Sequence, residues 1–380
     1  MCRQEERDFV DLIWFPTGGG KTEAYLGLSA FTICYKKLKN PENGGTIVLM
    51  RYTLRLLTSQ QLLRAIPLIM ALEKIRQRDT SALGKLKIDI GLWVGNTTTP
   101  NNKKAAMENY SQLKLNSYEQ NKLQILNCPW CKTDLVEKDT SVHKCPGYFP
   151  EVNQSGVSSV VFKCPDKECD FYNEVLPIKV VDEDLYESPP TFLIGTVDKF
   201  AQLAWKNETS AFFGIGNNFD PPELIIQDEL HLISGPLGSV VGHYESAMDI
   251  LCSNGDILPK IIASTATIRQ SEEQIKLLYN RKLNQFPPQA ITFGNTYFAQ
   301  ENKKKFGRYY FGFFPSAVSS NRLAEQQVAA LLLQKAVMPY LKNVVYEEEG
   351  SFKAKFEEGF NKSNIKKHAD PYTTMVWYFN

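Results

Sequence analysis

The sequence predicts an α/β fold built on a parallel sheet, and three observations carry that prediction. Apolar β-forming runs alternate with long helical stretches; the first run breaks at a glycine loop that opens straight into a helix; and several runs lack the polar alternation of a half-exposed strand. Phe9–Phe15 is the first strand, Pro16-Thr-Gly-Gly-Gly20 the loop, and Lys21–Leu38 the helix. Asn40–Gly45 is a turn cluster, Thr46–Met50 a buried strand, Thr53–Arg78 a stretch of helical apolar spacing, and Ile88–Val94 another strand. After Thr97 the pattern gives way to polar, Asn-rich sequence and a cysteine-rich region. Strand-like runs resume at Thr191–Gly195 and Leu224–Gln227, followed by a helix over Pro236–Cys252, a strand at Ile261–Ser264 and a long Ala- and Leu-rich helix over Asn321–Leu341. The charged stretch Glu347–Lys367 is expected to be a surface excursion, and the apolar run Met375–Asn380 has the character of a buried strand at which the chain is cut short.

Composition bounds the function. Hydrophobic residues make up 43%, aromatic 12% and charged 22% of the 380 residues, which excludes disorder, collagen-like repeats and coiled coil. The formal net charge is +1, so no bulk cationic field marks a nucleic-acid partner. No apolar run is long enough to span a bilayer and Met1–Asp8 does not resemble a secretory signal, from which a cytoplasmic location is expected.

The loop Pro16-Thr17-Gly18-Gly19-Gly20-Lys21-Thr22 lies between strand and helix, the context in which a glycine-rich turn cradles phosphate. Backbone N–H groups of Thr17 to Gly20 and the helix start face the anion, Lys21 reaches the β- and γ-phosphates, and the Thr22 hydroxyl ligates Mg²⁺. Phe15 stands where the longer pattern has glycine, so the match is to the shorter core. Leu224–Gln227 then delivers Asp228 as a second Mg²⁺ ligand and Glu229 to orient or deprotonate an attacking water. At about 30 residues per βαβ unit, too much chain separates Lys21 from Asp228 for one small sheet, so an insertion is required.

The cysteines mark it. Five of the eight fall between Cys128 and Cys169, and the pairs Cys128-x₂-Cys131 and Cys164-x₄-Cys169 suit a tetrahedral, structural Zn²⁺. His143 and Cys145 lie between the pairs as rival ligands. Cys2, Cys34 and Cys252 are isolated and are expected to serve packing.

Pro16–Thr22 with Asp228-Glu-Leu-His231 resembles motifs I and II of the superfamily 2 helicases and translocases of the DExH type. Arg51–Gln61 resembles motif Ia, Gly195–Lys199 motif Ic and Ser264-Thr-Ala-Thr267 motif III, in the family's order. The wording around them is most similar to the DrmA-type helicases of DISARM antiphage systems, with a related zinc-containing helicase group next. The resemblance implies a RecA-like P-loop domain over 1–285, a zinc-ribbon-like insertion at 120–175, and a linker with the start of a second RecA-like domain at 286–380. It implies ATP and Mg²⁺ as cofactors, nucleic acid as partner with DNA ahead of RNA, a companion subunit of a defence complex, and no membrane. Thr53, Arg55, Thr196 and Lys199 would contact the phosphates of one strand, with Thr265, Thr267 and His231 coupling that strand to the nucleotide. The family's motifs V and VI, with the arginine finger, are not in the sequence, so the isolated chain is expected to hydrolyse ATP weakly; losing such a finger costs about 10³ to 10⁵ in rate. Two other readings stand beside this one: a nucleotide-gated nucleic-acid-binding module without turnover, and a P-loop ATPase acting on another substrate.

Overall fold

Among the described residues of Met1–Glu301, twelve strands and nine α-helices follow one another along the chain. The computed structural model describes residues 4–15, 19–53, 55–115, 119–138, 143–152, 158–265, 271–288, 298, 326–328, 330–331, 341–346 and 352–356. Helix α1 (Gln4–Arg7) leads into β1 (Phe9–Trp14), and α2 (Lys21–Lys39), β2 (Val48–Tyr52), α3 (Arg55–Arg78), α4 (Thr80–Leu83), β3 (Ile90–Trp93) and α5 (Lys103–Leu113) follow. Strands β4 (Glu137–Lys138) and β5 (His143–Lys144) form one antiparallel hairpin, and β6 (Tyr148–Val152) and β7 (Ser158–Phe162) another. Then come β8 (Ile178–Lys179), α6 (Asp182–Glu187), β9 (Phe192–Thr196), α7 (Val197–Phe200), β10 (Leu224–Gln227), α8 (Gly235–Leu251), β11 (Lys260–Thr265), α9 (Ser271–Tyr279) and β12 (Lys282–Phe286).

Eight strands pair in the order β12-β1-β11-β10-β2-β9-β3-β8, every pair parallel. The sheet flanked by helices is the α/β architecture that the sequence predicts. Strands β2, β3, β9, β10 and β11 are buried along their whole length, because helices cover both faces. One core joins Ile33 of α2 and Ile66 and Ile69 of α3 to Ile90 and Ile194; it continues without a break into Cys128, Phe162 and Phe171 of the insertion. On the opposite face Leu49, Ile225 and Ile261 pack with Val241, Met248 and Ile275 of α8 and α9.

Uniform strand direction puts every strand's C-terminal end along one edge of the sheet. The order β1-β11-β10-β2 makes neighbours of the C-terminal ends of those four strands, which lead into the glycine loop, end in Thr265, and are followed by Asp228 and Thr53 respectively. Open parallel sheets bind their ligands at that edge.

Some expectations are corrected. The polar stretch after Thr97 contains α5, whose buried Ala106, Tyr110 and Leu113 recur at helical spacing. The strand expected at Thr46–Met50 lies at Val48–Tyr52. The first unit runs to Glu301 and a second spans Asn302–Asn380. In the second, Leu341–Tyr346 pairs antiparallel with Phe352–Phe356, so part of the expected surface excursion is a strand, and Leu341 begins a strand where a helix was expected to end. Residues 326–328 and 330–331 are helical; the other residues of 321–340, and the run Met375–Asn380, lie outside the described residues. No described helix is long and apolar enough to cross a membrane.

Candidate active site

Gly20 caps α2 at φ +83°, a left-handed conformation that glycine adopts without steric penalty. Lys21 and Thr22 form the first turn of this 19-residue helix, whose leading N–H groups have no carbonyl of their own helix to bind. Gly19 is exposed beside them, while Thr17 and Gly18 lie outside the described residues.

Three residues along α2, one helical turn from Thr22, stands Tyr25, wholly buried. Its hydroxyl lies 3.1 Å from Thr22 Oγ1, 2.9 Å from the Tyr52 hydroxyl at the end of β2 and 2.8 Å from Asp228 Oδ2. A phenol has one proton to donate, and the carboxylate is the partner that rewards it most. Tyr52 can then donate to Tyr25. Burial, reinforced by the Asp228 charge, holds both phenols far above the ordinary tyrosine range, so each remains a donor.

Asp228 follows β10 and is 5% exposed. Its Oδ1 accepts from the Ser264 hydroxyl at the end of β11 and from the Glu229 backbone N–H at 2.9 Å. Both carboxylate oxygens are thus aimed by groups from β11, α2 and the chain's own turn. Arg64 of α3 donates to Thr22 Oγ1 at 3.0 Å and pairs with Glu23. None of Tyr25, Tyr52, Arg64 or Ser264 was singled out as a site residue from sequence. Tyr25 carries a local signal in its spacing of three from Thr22, and Tyr52 and Ser264 lie within the stretches that resemble motifs Ia and III.

Glu229 adopts φ +50°, unusual for a residue with a side chain. Its carboxylate lies 3.4 Å from His231 Nδ1, and the Thr265 hydroxyl lies 3.2 Å from the same nitrogen. Thr22, Asp228, Glu229, His231 and Thr265, drawn from three separate stretches of sequence, therefore meet at the strand ends. Thr267 lies outside the described residues.

The residues expected on a nucleic-acid strand are arranged differently. Lys199 is 4% exposed, with Nζ 2.6 Å from Asp182 Oδ2, so its charge is spent inside the protein. Thr196 is wholly buried at the end of β9; its hydroxyl and that of Thr53 are buried without a hydrogen-bond partner. Lys199 and Thr196 are thus both buried in this structure. The Arg55 side chain is outside the described residues. Arg51, four residues earlier, lies in β2, wholly buried, 2.5 Å from Glu245 of α8.

The sulfur atoms of Cys128, Cys131, Cys164 and Cys169 all lie within 4.8 Å of one another. Cys131 and Cys164 are 3.5 Å apart and Cys128 and Cys169 4.0 Å. Tetrahedral zinc with Zn–S bonds of about 2.3 Å sets its sulfurs about 3.8 Å apart, so the donor set fits that ion. Cys145 does not belong to the group, and the His143 side chain is outside the described residues. Burial, with the neighbouring thiols, pushes Cys169 up to about 11 and raises Cys164 further. A divalent cation relieves that crowding by holding all four as thiolates. The cysteines belong to the core beneath the sheet, so a metal here would brace the sheet edge.

No family model matches the chain. It is 36% identical over 425 aligned residues to the DISARM protein DrmA of Bacillus paralicheniformis, an alignment that takes in 100% of this chain and 35% of that protein. Among solved structures, the DUF1998 helicase MrfA aligns at 14% identity and a TM-score of 0.34, over 76% of this chain and 30% of that one. MrfA bound to DNA aligns at 15% identity and a TM-score of 0.25, over 67% and 26%. Over its whole length the chain is a relative of the DISARM protein DrmA, and it spans about a third of that protein's length.

Proposed function

We propose that this chain is the ATP-binding lobe of a superfamily 2 DNA helicase or translocase that works in antiphage defence. The convergence of Thr22 and Asp228 on the Tyr25 hydroxyl supports this reading most directly, because it brings the expected metal ligands of two distant motifs into one buried network. Gly19, Gly20 and the start of α2 would hold the phosphates together with Lys21, and Thr22 with Asp228 would hold Mg²⁺. The bound metal would neutralise charge developing on the phosphates.

The chain's own groups then have separable roles. Tyr25, Ser264 and the Glu229 N–H fix the rotation of the Asp228 carboxylate. Glu229 orients the water or takes its proton, and His231, between Glu229 and Thr265, registers the state of that carboxylate for the segment after β11. The kinship with the DISARM protein DrmA supports the defence role; DNA rather than RNA as the track and a companion subunit belong to the same proposal. The structural zinc is assigned to Cys128, Cys131, Cys164 and Cys169.

DNA-stimulated ATP hydrolysis by the full-length protein tests the proposal. Lys21→Ala and Glu229→Gln should each abolish it. Stimulated hydrolysis that survives Lys21→Ala would refute it, and ATP binding without any turnover would favour a nucleotide-gated binding module.

A further inference from the structure

Three phenylalanines gather beside the glycine loop. Phe15 is bonded directly to Pro16, the loop's first residue; its ring centroid lies 6.0 Å from that of Phe286 and 6.2 Å from that of Phe298, and the latter two are 5.3 Å apart. Phe286 ends β12, where it is the register partner of Ile13 on β1. Register partners in parallel strands share a face, so Phe286 stands on the face of Ile13, and Phe15, just past the end of β1, meets it there. Ile13 packs against the core that contains Tyr25 and Ile33, so this is the face that carries α2. The rings therefore stand on the same side of the sheet as the helix whose N-terminus meets the phosphates.

Their exposure is not what packing alone requires. Phe286 is 44% and Phe298 55% exposed. The rings meet at 75°, 85° and 51°, so no pair of faces is consumed by parallel stacking. An exposed aromatic cluster that continues directly into an anion-binding loop matches a ligand with a flat aromatic end and a polyanionic end, which is a nucleoside triphosphate.

We propose that Phe15, Phe286 and Phe298 form the platform on which the base of the bound nucleotide stacks, an inference that rests on the phosphate-loop reading above. Phenyl rings offer no hydrogen-bond donor or acceptor to a base edge. Recognition through them is by ring area, so the platform holds adenine and guanine alike and pyrimidines less well.

Calorimetric titration of the full-length protein with Mg-ATP and with magnesium tripolyphosphate, which has the phosphates and no base, separates the two readings. Phe286→Ala and Phe298→Ala, both at exposed positions, should each weaken ATP binding by on the order of tenfold and leave tripolyphosphate binding unchanged. Unchanged ATP affinity in both variants would overturn the proposal. Equal losses for the two ligands would also overturn it, because they would make the rings structural supports of the loop. Lys21→Ala should weaken both ligands; if it weakens neither, the phosphate-loop reading fails and the platform falls with it.

Discussion

The Tyr25 hydroxyl lies 2.8 Å from Asp228 Oδ2, joining helix α2 to the acidic turn after β10 inside a buried network. Removing that hydroxyl leaves a buried carboxylate oxygen short of a donor, a loss of about 1–3 kcal/mol. Tyr25→Phe should therefore lower unfolding stability by about that amount. Tyr52→Phe acts on the same hydroxyl chain, so the double variant should lose less than the sum of the singles. Denaturant titration of the four proteins checks this, and strictly additive losses would count against a shared network.

Arg51 and Glu245 form a buried ion pair between β2 and α8. Breaking such a pair from one side strands a charge and costs about 3–5 kcal/mol, whereas replacing both partners by apolar groups is often close to neutral. Glu245→Ala should be strongly destabilising in a chemical melt, and Arg51→Met with Glu245→Leu should recover most of the loss.

Lys199 separates the structure's account from the one the motif order suggests. A lysine on a nucleic-acid phosphate contributes close to one unit to the dependence of log K on log salt concentration. Because Lys199 is held by Asp182, Lys199→Met should leave that slope unchanged while lowering the melting temperature. A slope reduced by about one would restore Lys199 to the nucleic-acid surface.

The four-cysteine cluster shares its core with Ile90 and Ile194 of the sheet. Cys131→Ser should lower bound zinc, measured by atomic emission, and should lower the melting temperature of the whole first unit in one transition. A separate early transition with the main one unmoved would show that the insertion folds on its own.

What the sequence revealed follows the range of the interactions involved. The strand and helix on either side of Gly20 were legible because strand, loop and helix are contiguous, and the strand that ends before Asp228 because an apolar run announces it. Tyr52 was not, because its place beside Asp228 depends on β2 lying next to β10, a pairing no local pattern encodes. Arg51 and Arg55 have the spacing of a helix face, yet Arg51 sits in a strand and is buried because Glu245 meets it there. Strand β12 (Lys-Leu-Asn-Gln-Phe) escaped detection since it lies at the sheet's edge, where a long apolar run is not needed. Helix α5 was overlooked although Ala106, Tyr110 and Leu113 carried its period among polar neighbours.

Binding of ATP to the full-length protein, titrated with and without Mg²⁺ in the wild type and in Asp228→Asn, tests most directly whether the glycine loop and Asp228 form one nucleotide site. Mg²⁺ should tighten ATP binding in the wild type and have little effect in Asp228→Asn, with metal-free binding similar in the two. A metal effect of equal size in both proteins would contradict the assignment of Asp228.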